Sequence, residues 1–131
     1  MVKEKKKLLI VDDEKDICKF AKLIFQKRGF LVYTALSGGS AVKIAKRVKP
    51  DIALLDLYLK RGISGLETLR KIKKAAPLCK CVMVTWEKEK SRIKEAKELG
   101  VVSYLTKPLT IEQLLKAVKR ISRSRKGVPR G

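Results

Sequence analysis

Three carboxylates stand directly behind two apolar segments of the chain, and their placement indicates cation binding or phosphoryl chemistry. Asp12 and Asp13 follow the apolar residues 8–11, and Asp56 follows the apolar residues 52–55. If these segments are neighbouring strands of a parallel sheet, the three acids meet at the edge where ligands bind. Carboxylates brought together repel one another and lose solvation, so they need a cation or a shared proton. A site made only of oxygen ligands suits a hard cation such as Mg²⁺.

Thr85 and Lys107 extend this acidic cluster, since both stand at or near the end of later apolar segments. A lysine ammonium is a point charge on a long stem that can pair with phosphoryl oxygens, and a threonine hydroxyl can donate to another oxygen. Each residue alone has a simpler interpretation: Asp13 as a helix N-cap, Lys107 as surface charge, Thr85 as a strand residue. Together, the acids, hydroxyl and ammonium favour a phosphoryl-binding site.

The elements that would position these residues are five apolar segments alternating with five amphipathic ones. The segments that are apolar on successive residues predict strands buried on both faces, at 8–11, 31–35, 52–55, 81–84 and 101–105. The intervening stretches show helical spacing, and the first of them predicts a core face of Ile17, Phe20, Ala21 and Ile24. This (βα)₅ pattern predicts an α/β fold with a parallel sheet and helices on both faces.

Capping residues agree with these boundaries. Gly29 and Gly100 stand where helix C-terminal caps are expected, and Ser37 and Thr110 stand at plausible N-caps. The length of 131 residues fits one domain. We therefore predict a basic N-terminal extension at 1–6, one domain at 7–122 and a basic flexible tail at 123–131.

Composition excludes several other classes of protein. No apolar stretch approaches the ~20 residues of a membrane helix, and the first apolar segment is too short for a signal peptide, so we predict a cytoplasmic protein without membrane contact. The absence of histidine removes most zinc, haem and histidine-base chemistry. We expect Cys18, Cys79 and Cys81 to be reduced, packed thiols, with Cys79 and Cys81 pointing to opposite faces.

The net charge is the unusual property of the composition. Lys and Arg number 33 against 13 Asp and Glu, which gives a formal charge of +20. One interpretation is a solvated, lysine-rich surface spread over every helix. The other is a face that binds nucleic acid, weakly and without sequence preference, or an acidic partner. Aromatic residues are few, so no platform for stacking bases is visible.

The order of the site residues resembles the receiver domain of two-component response regulators, over roughly residues 7–122. The residues that carry the resemblance are Asp12-Asp13, Asp56, Thr85, Tyr104 and Lys107-Pro108. The resemblance implies a flavodoxin-like fold with strand order 2-1-3-4-5. It also implies a single-domain response regulator, cytoplasmic and without enzymatic activity beyond its own phosphorylation and slow dephosphorylation. A sensor histidine kinase or a phosphotransfer protein would donate the phosphoryl group.

The family pattern then implies a role for each matching residue. Asp56 is the phosphoacceptor and, with Thr85 and Lys107, forms the catalytic set. Asp12, Asp13, Asp56 and the backbone carbonyl of Tyr58 hold Mg²⁺, the only cofactor implied. Thr85 and Tyr104 form a switch that signals through the fourth helix, fifth strand and fifth helix to a downstream protein, with a phosphorylation-linked homodimer as a further option. A cis peptide bond is expected between Lys107 and Pro108.

The sequence departs from the family at two places beside the site. The segment after Asp56 lacks the usual proline and is one residue longer, and Trp86 replaces a small residue after Thr85. The indole either restricts access to Asp56 or anchors a partner protein.

Three other functions stay open. One is an aspartate-nucleophile phosphatase, which is disfavoured because Tyr58 replaces its second acid. The others are an excised receiver of a longer regulator and a basic scaffold that binds nucleic acid.

Overall fold

The computed structural model describes residues 4–86 and 90–123. Strands and helices alternate along the whole described chain. The strands are β1 (Lys7–Val11), β2 (Leu31–Ala35), β3 (Ile52–Leu55), β4 (Lys80–Thr85) and β5 (Ser103–Thr106). The helices are α1 (Lys15–Lys27), α2 (Gly38–Val48), α3 (Gly65–Ala75), α4 (Lys90–Glu98) and α5 (Ile111–Arg123).

The five strands form one parallel sheet in the order β2-β1-β3-β4-β5, which confirms the predicted flavodoxin-like topology. The first four strands begin within one residue of the predicted positions. The fifth begins at Ser103 rather than at residue 101. The reason lies in the end of α4, where the Val101 amide donates to the Ala96 carbonyl at 3.3 Å and so belongs to the helix terminus.

Both faces of the sheet are buried, each by its own set of helices. Leu9 and Val11 of β1 pack in the layer that contains the buried residues of α2, α3 and α4. Leu8 and Ile10 pack in the other layer, with α1 and α5. Successive residues of a strand point to opposite faces, so four consecutive apolar residues serve both layers. This is the arrangement that the uninterrupted apolar segments predict.

The predicted core face of α1 was wrong for Ile17 and Phe20, although it was right for Ala21 and Ile24 is partly buried. Ile17 is 39% exposed and Phe20 is 59% exposed, whereas Cys18, Ala21 and Phe25 are buried. Phe25 is fully buried and makes an edge-to-face contact with Phe30, with ring centroids 5.7 Å apart. The burial of this large ring fixes the rotation of α1 about its axis, and the apolar residues that exceed the buried face are left on the surface.

The three cysteines are free and buried, as expected. The prediction that Cys79 and Cys81 point to opposite faces was wrong, because both lie in the layer with α2, α3 and α4. Residues two apart in an extended chain share a face. The hydrogen bond with Cys81, together with burial, raises the pKa of the Cys79 thiol above its ordinary value, so this group stays protonated at neutral pH.

The helix termini confirm the predicted caps. The Ser37 hydroxyl accepts from the Ser40 amide at 3.2 Å, and Thr110 and Gln113 exchange reciprocal bonds at 2.9 and 3.1 Å. Gly29 and Gly100 adopt φ of +92° and +93°, which end α1 and α4.

Helix α5 extends to Arg123, one residue past the predicted domain boundary. Residues 1–3 of the predicted extension and 124–131 of the predicted tail lie outside the described residues.

Within the described ranges, no helix combines the length and the apolar character needed to cross a bilayer.

The contact between α2 and α3 gives a testable prediction about stability. A Cβ atom on Gly38 would lie 2.1 Å from the Thr68 hydroxyl, and Thr68 is fully buried and donates to the Ser64 carbonyl at 2.7 Å. We expect Gly38→Ala to lower the free energy of unfolding by about 1–3 kcal/mol through overpacking. Gly39→Ala is the matched control, because nothing lies within 4 Å of its Cβ position and alanine favours the helix. Urea unfolding measures both, and equal midpoints would contradict the predicted clash.

Candidate functional site

Two of the predicted acids are held at the carboxyl-terminal edge of the sheet by the strand ladder itself. Asp12 follows β1, and its amide donates to the Ala35 carbonyl at 3.1 Å. Asp56 follows β3, and its amide donates to the Val11 carbonyl at 3.1 Å. Both residues are buried, at 6% and 7% exposure. The backbone therefore fixes two carboxylates side by side with little water around them.

The Asp56 carboxylate is oriented through both of its oxygens. Its Oδ1 accepts from the Thr85 hydroxyl at 2.8 Å and from the Tyr58 amide at 2.9 Å. Its Oδ2 accepts from the Lys107 ammonium at 3.0 Å. Thr85 ends β4 and is fully buried. The structure thus brings together Asp56, Thr85 and Lys107, which the sequence placed on three separate strand ends.

Lys107 bridges the two buried acids. Its Nζ lies 3.2 Å from Asp12 Oδ2 and 3.0 Å from Asp56 Oδ2, and its side chain is only 16% exposed. Its amide donates to the Thr85 carbonyl at 2.8 Å, and the peptide bond to Pro108 is cis, as expected. Burial alone would lower the pKa of Lys107, but the hydrogen bond and charge of Asp56, followed by those of Asp12, outweigh it and raise this pKa. The ammonium is therefore charged throughout the neutral range.

Asp13 joins the site from the loop before α1 and is not the N-cap of that helix. The cap is Glu14, which makes no side-chain capping bond. The Asp13 Oδ2 instead accepts from the Lys60 amide at 3.2 Å, and so links the loop after β1 to the loop after β3. The Asp12 Oδ1 accepts from the Glu14 amide at 2.9 Å.

The donor set suits a hard divalent cation. The loops at this edge carry the carboxylates of Asp12, Asp13 and Asp56, and Lys107 pairs with Asp12 and Asp56. Every side-chain oxygen of these acids is a hard ligand. In the part of the chain that the structure describes, no three Cys, Asp or Glu side chains converge closely enough to hold a metal ion. Two of the acids are drawn toward Lys107, and Asp13 is turned toward the Lys60 amide. The ammonium therefore supplies the positive charge between the acids in this arrangement.

Cys18 is a neighbour of the site that sequence reasoning did not place there. Its thiol donates to the Asp12 backbone carbonyl at 3.3 Å. Burial and the negative charge of Asp12 raise the pKa of Cys18 to about 11, so the group is a neutral thiol that supports the backbone of Asp12. Its position seven residues after β1 carries no sequence signal for this contact.

The two unusual aromatic residues flank the site. Trp86 is 57% exposed and lines a cavity of about 600 Å³ together with Asp56 and Lys107. Tyr58 is 50% exposed, and the Arg92 guanidinium lies 6.0 Å from the centre of its ring. The position of Trp86 is compatible with both predicted roles, restricted access and partner anchoring, so each stays a prediction.

The cavity also has an apolar wall that the sequence analysis did not foresee. From Asp56 it extends between α1 and α5, along Ile17, Phe20, Leu109 and Ile111. Two of these residues are the ones that were wrongly predicted to lie in the core. The only sequence signal was an excess of apolar residues on α1, more than one buried face can hold.

Tyr104 lies on β5 and pairs with Met83 of β4. Met83 lies two residues before Thr85, the last residue of β4. Tyr104 is partly buried against the core layer that includes Ala96 of α4. The second predicted switch residue is therefore paired with the strand that ends at Thr85 and is packed against the core layer to which α4 contributes.

A family model for the response regulator receiver domain matches residues 8–119 of the chain. The chain belongs to the receiver domain family of two-component response regulators. Among curated proteins, it is 33% identical over 114 residues to sporulation initiation phosphotransferase F of Bacillus subtilis, covering 87% of this chain and 91% of that protein.

Solved receiver domains share the fold. A CheY-like receiver domain protein from Methanospirillum hungatei is 28% identical with a TM-score of 0.86, covering 91% of this chain and 95% of that one. CheY in a complex with CheX, BeF₃ and Mg²⁺ from Borrelia burgdorferi is 25% identical with a TM-score of 0.81, covering 91% and 90%. These matches confirm the family and topology that the sequence resemblance implied.

The bridging position of Lys107 gives a second prediction. Lys107→Met would leave two buried carboxylates without their shared cation, so we expect a loss of about 1–3 kcal/mol in unfolding free energy without added metal. Lys119→Met is the control, since Lys119 is an exposed residue of α5 that forms no ion pair among the described residues. Addition of Mg²⁺ should restore more stability to Lys107→Met than to wild type. Equal thermal stability of the two variants would contradict the bridge.

Proposed function

We propose that this receiver domain accepts a phosphoryl group on Asp56 from a phosphohistidine of a sensor kinase or phosphotransfer protein. The observation that carries this proposal is the Asp56 carboxylate, held by Thr85 and Lys107 at the mouth of an open cavity. In the reaction, an Asp56 oxygen forms a bond to phosphorus while the bond from phosphorus to the donor imidazole nitrogen breaks. The product is an aspartyl phosphate, and the imidazole takes up a proton.

The residues around Asp56 fit the charge that develops in this reaction. Lys107 already lies 3.0 Å from the carboxylate and can pair with an incoming phosphoryl oxygen without leaving the site. The Thr85 hydroxyl, 2.8 Å from Oδ1, can turn its hydrogen bond to another phosphoryl oxygen. The Tyr58 amide holds the carboxylate in place throughout. These groups act by positioning and charge, as phosphoryl transfer requires.

We propose that Mg²⁺ is bound by the carboxylates of Asp12, Asp13 and Asp56 and by the Tyr58 carbonyl. When bound, the ion would reduce the repulsion between an anionic nucleophile and an anionic phosphoryl group. Support comes from the all-oxygen donor set and from a similar receiver domain whose complex contains Mg²⁺ and BeF₃. Lys107 would then be released from Asp12 to serve the phosphoryl group.

We propose that the phosphorylated state is transmitted through α4, β5 and α5 to a downstream protein. If the Thr85 hydroxyl follows the phosphoryl group, the end of β4 shifts relative to β5, where Tyr104 pairs with Met83. Tyr104 packs against the layer that contains Ala96, so its rearrangement would bias α4. In one solved complex, a similar receiver domain is bound to the protein CheX, and this supports a protein as the downstream target.

We propose that the apolar wall of the cavity receives part of the phosphodonor protein. Phe20 and Ile17 are exposed beside the opening that leads to Asp56. A donor protein must bring its histidine to Asp56, and such a surface can exclude water while it does so. The name of the curated relative, a phosphotransferase, fits a role in passing phosphoryl groups between proteins.

The direct test is phosphorylation by acetyl phosphate, followed by intact mass spectrometry. Wild type should gain one phosphoryl group when Mg²⁺ is present and should label much more slowly after chelation with EDTA. Asp56→Asn should gain none, because an amide is not a nucleophile for this reaction. Asp51→Asn is the control, since Asp51 is an exposed acid before β3 at the other edge of the sheet. Equal labelling of Asp56→Asn and wild type would refute the proposed acceptor.

The proposed switch is tested by amide chemical shifts on addition of beryllium fluoride and Mg²⁺. Wild type should show shifts at the site loops and also across residues 90–120, because the Thr85 hydroxyl would move its hydrogen bond from Asp56 to the mimic and so shift the end of β4 relative to β5. Thr85→Val keeps the shape of the side chain but removes the hydroxyl, so its shifts should stay near Asp12 and Asp56. Residues of α2 serve as an internal reference in both proteins. Wild-type shifts confined to the site loops would contradict transmission through α4, β5 and α5.

A further inference from the structure

The edge of the sheet opposite Asp56 is formed by strand starts and helix ends. Each of α1 to α4 ends a few residues before the next strand begins. Helix α5 reaches the same edge, because the buried Lys80 at the start of β4 donates to the Ile121 carbonyl at 3.0 Å. All five helices therefore direct their carboxyl ends toward one surface.

Positive charge is concentrated at this surface. Helices α1, α2, α3 and α5 carry basic residues in the last turn. The acidic residues of α1, α3 and α5 lie in the first turn instead, at the edge that holds Asp56. We use the name basic edge for six exposed residues at or beside these helix ends: Lys27, Arg28, Lys46, Arg47, Lys74 and Arg120.

Other lysines at this surface already have a structural role. The Lys7 ammonium donates to the Val48 carbonyl at 3.0 Å, and the Lys49 ammonium donates to the Ala75 carbonyl. With Lys80, they satisfy carbonyls at the ends of α2, α3 and α5. The basic edge residues are additional to these caps. Among the described residues, none of the six forms an ion pair with a carboxylate.

The helix dipole accounts for only part of this charge. Cations near a helix C-terminus are favourable, but three of the helix ends already receive a lysine from elsewhere in the chain. Further like charges at the same surface repel one another and act against the compact state. A net charge of +20 makes this repulsion substantial. An anionic partner at this surface would neutralise it.

We propose that the basic edge binds the phosphate backbone of duplex nucleic acid without reading its sequence. The exposed aromatic residues Phe20, Tyr58 and Trp86 lie on α1 or beside the phosphoacceptor site, so base stacking at the basic edge has no support. Leu31 and Leu78 are the large apolar side chains exposed near this edge in the described chain, which is too little for insertion into a membrane. Phosphate contacts alone fit the chemistry of this surface.

The position of the basic edge has a consequence for signalling. Duplex bound there would leave Asp56 and its cavity facing away, at the opposite edge of the sheet. Phosphorylation and polyanion binding could then occur on the same molecule. This inference stands on the charge distribution alone and does not depend on the proposed phosphoacceptor function.

The test is fluorescence anisotropy with a short labelled DNA duplex of arbitrary sequence, at about 50 mM and about 200 mM salt. The edge variant combines Lys46→Gln, Arg47→Gln and Lys74→Gln, on the adjacent ends of α2 and α3. The control variant removes the same charge near the other edge, by Lys15→Gln, Arg61→Gln and Lys90→Gln. All six residues are exposed.

We expect the edge variant to bind at least about tenfold more weakly than wild type at low salt, and to lose about two units from the slope of log affinity against log salt. The control variant should stay within about threefold of wild type. Labelling of the edge variant by acetyl phosphate should match wild type, with or without duplex, which shows an intact fold. The single change Arg47→Glu gives a second measurement of the same effect.

Three outcomes would overturn the proposal. Equal losses in the edge and control variants would mean that the attraction belongs to the total charge and to no particular surface. No binding by wild type at low salt would remove the polyanion interaction altogether. Binding to phosphatidylglycerol vesicles that persists at a salt concentration where the duplex dissociates would identify a lipid surface as the preferred partner.

Discussion

The sharing of one lysine ammonium between two buried carboxylates is the interaction on which the site depends. Asp12 and Asp56 are held side by side by the strand ladder, at less than a tenth of full exposure, and cannot move apart. Their repulsion must therefore be compensated locally, and Lys107 does so at 3.2 and 3.0 Å. The chemistry follows from the same constraint, because carboxylates under mutual repulsion favour any further positive charge that reaches them.

The rest of the fold maintains this constraint by keeping the strand ends in register. β1 and β3 pair directly, so Asp12 and Asp56 occupy equivalent positions after Val11 and Leu55. β4 pairs with β3 on its other side and brings Thr85 beside Asp56. Because both faces of these strands are packed, a shift in register would displace two core layers at once. The packed sheet therefore fixes the relative positions of Asp12, Asp56 and Thr85.

Sequence reasoning succeeded where local pattern and burial coincide. The apolar segments located the strands, and the structure brings together the polar residues at their ends, Asp12, Asp56 and Thr85, with Lys107. Strands buried on both faces leave little choice of register. Sequence reasoning failed where more than one face of a helix could be buried, and where a contact joins residues that are far apart in the chain. Helix α1 has apolar residues on more than one face, so its rotation depends on the burial of Phe25 rather than on spacing. The bond between Asp13 and the Lys60 amide joins residues far apart in the chain and leaves no local signal.

Helices α1, α3 and α5 carry acidic residues in the first turn and basic residues in the last turn. The direction of the helices explains this distribution of charge. In a parallel (βα)₅ chain every helix runs opposite to the strands, so all helix N-termini share the edge with Asp56 and all C-termini share the other. The dipoles favour acids at the first edge and bases at the second. The edge that carries Asp12, Asp13 and Asp56 is the one at which the helix dipoles favour acidic residues. The six residues of the basic edge follow this preference, because they lie at or beside helix ends and face away from Asp56.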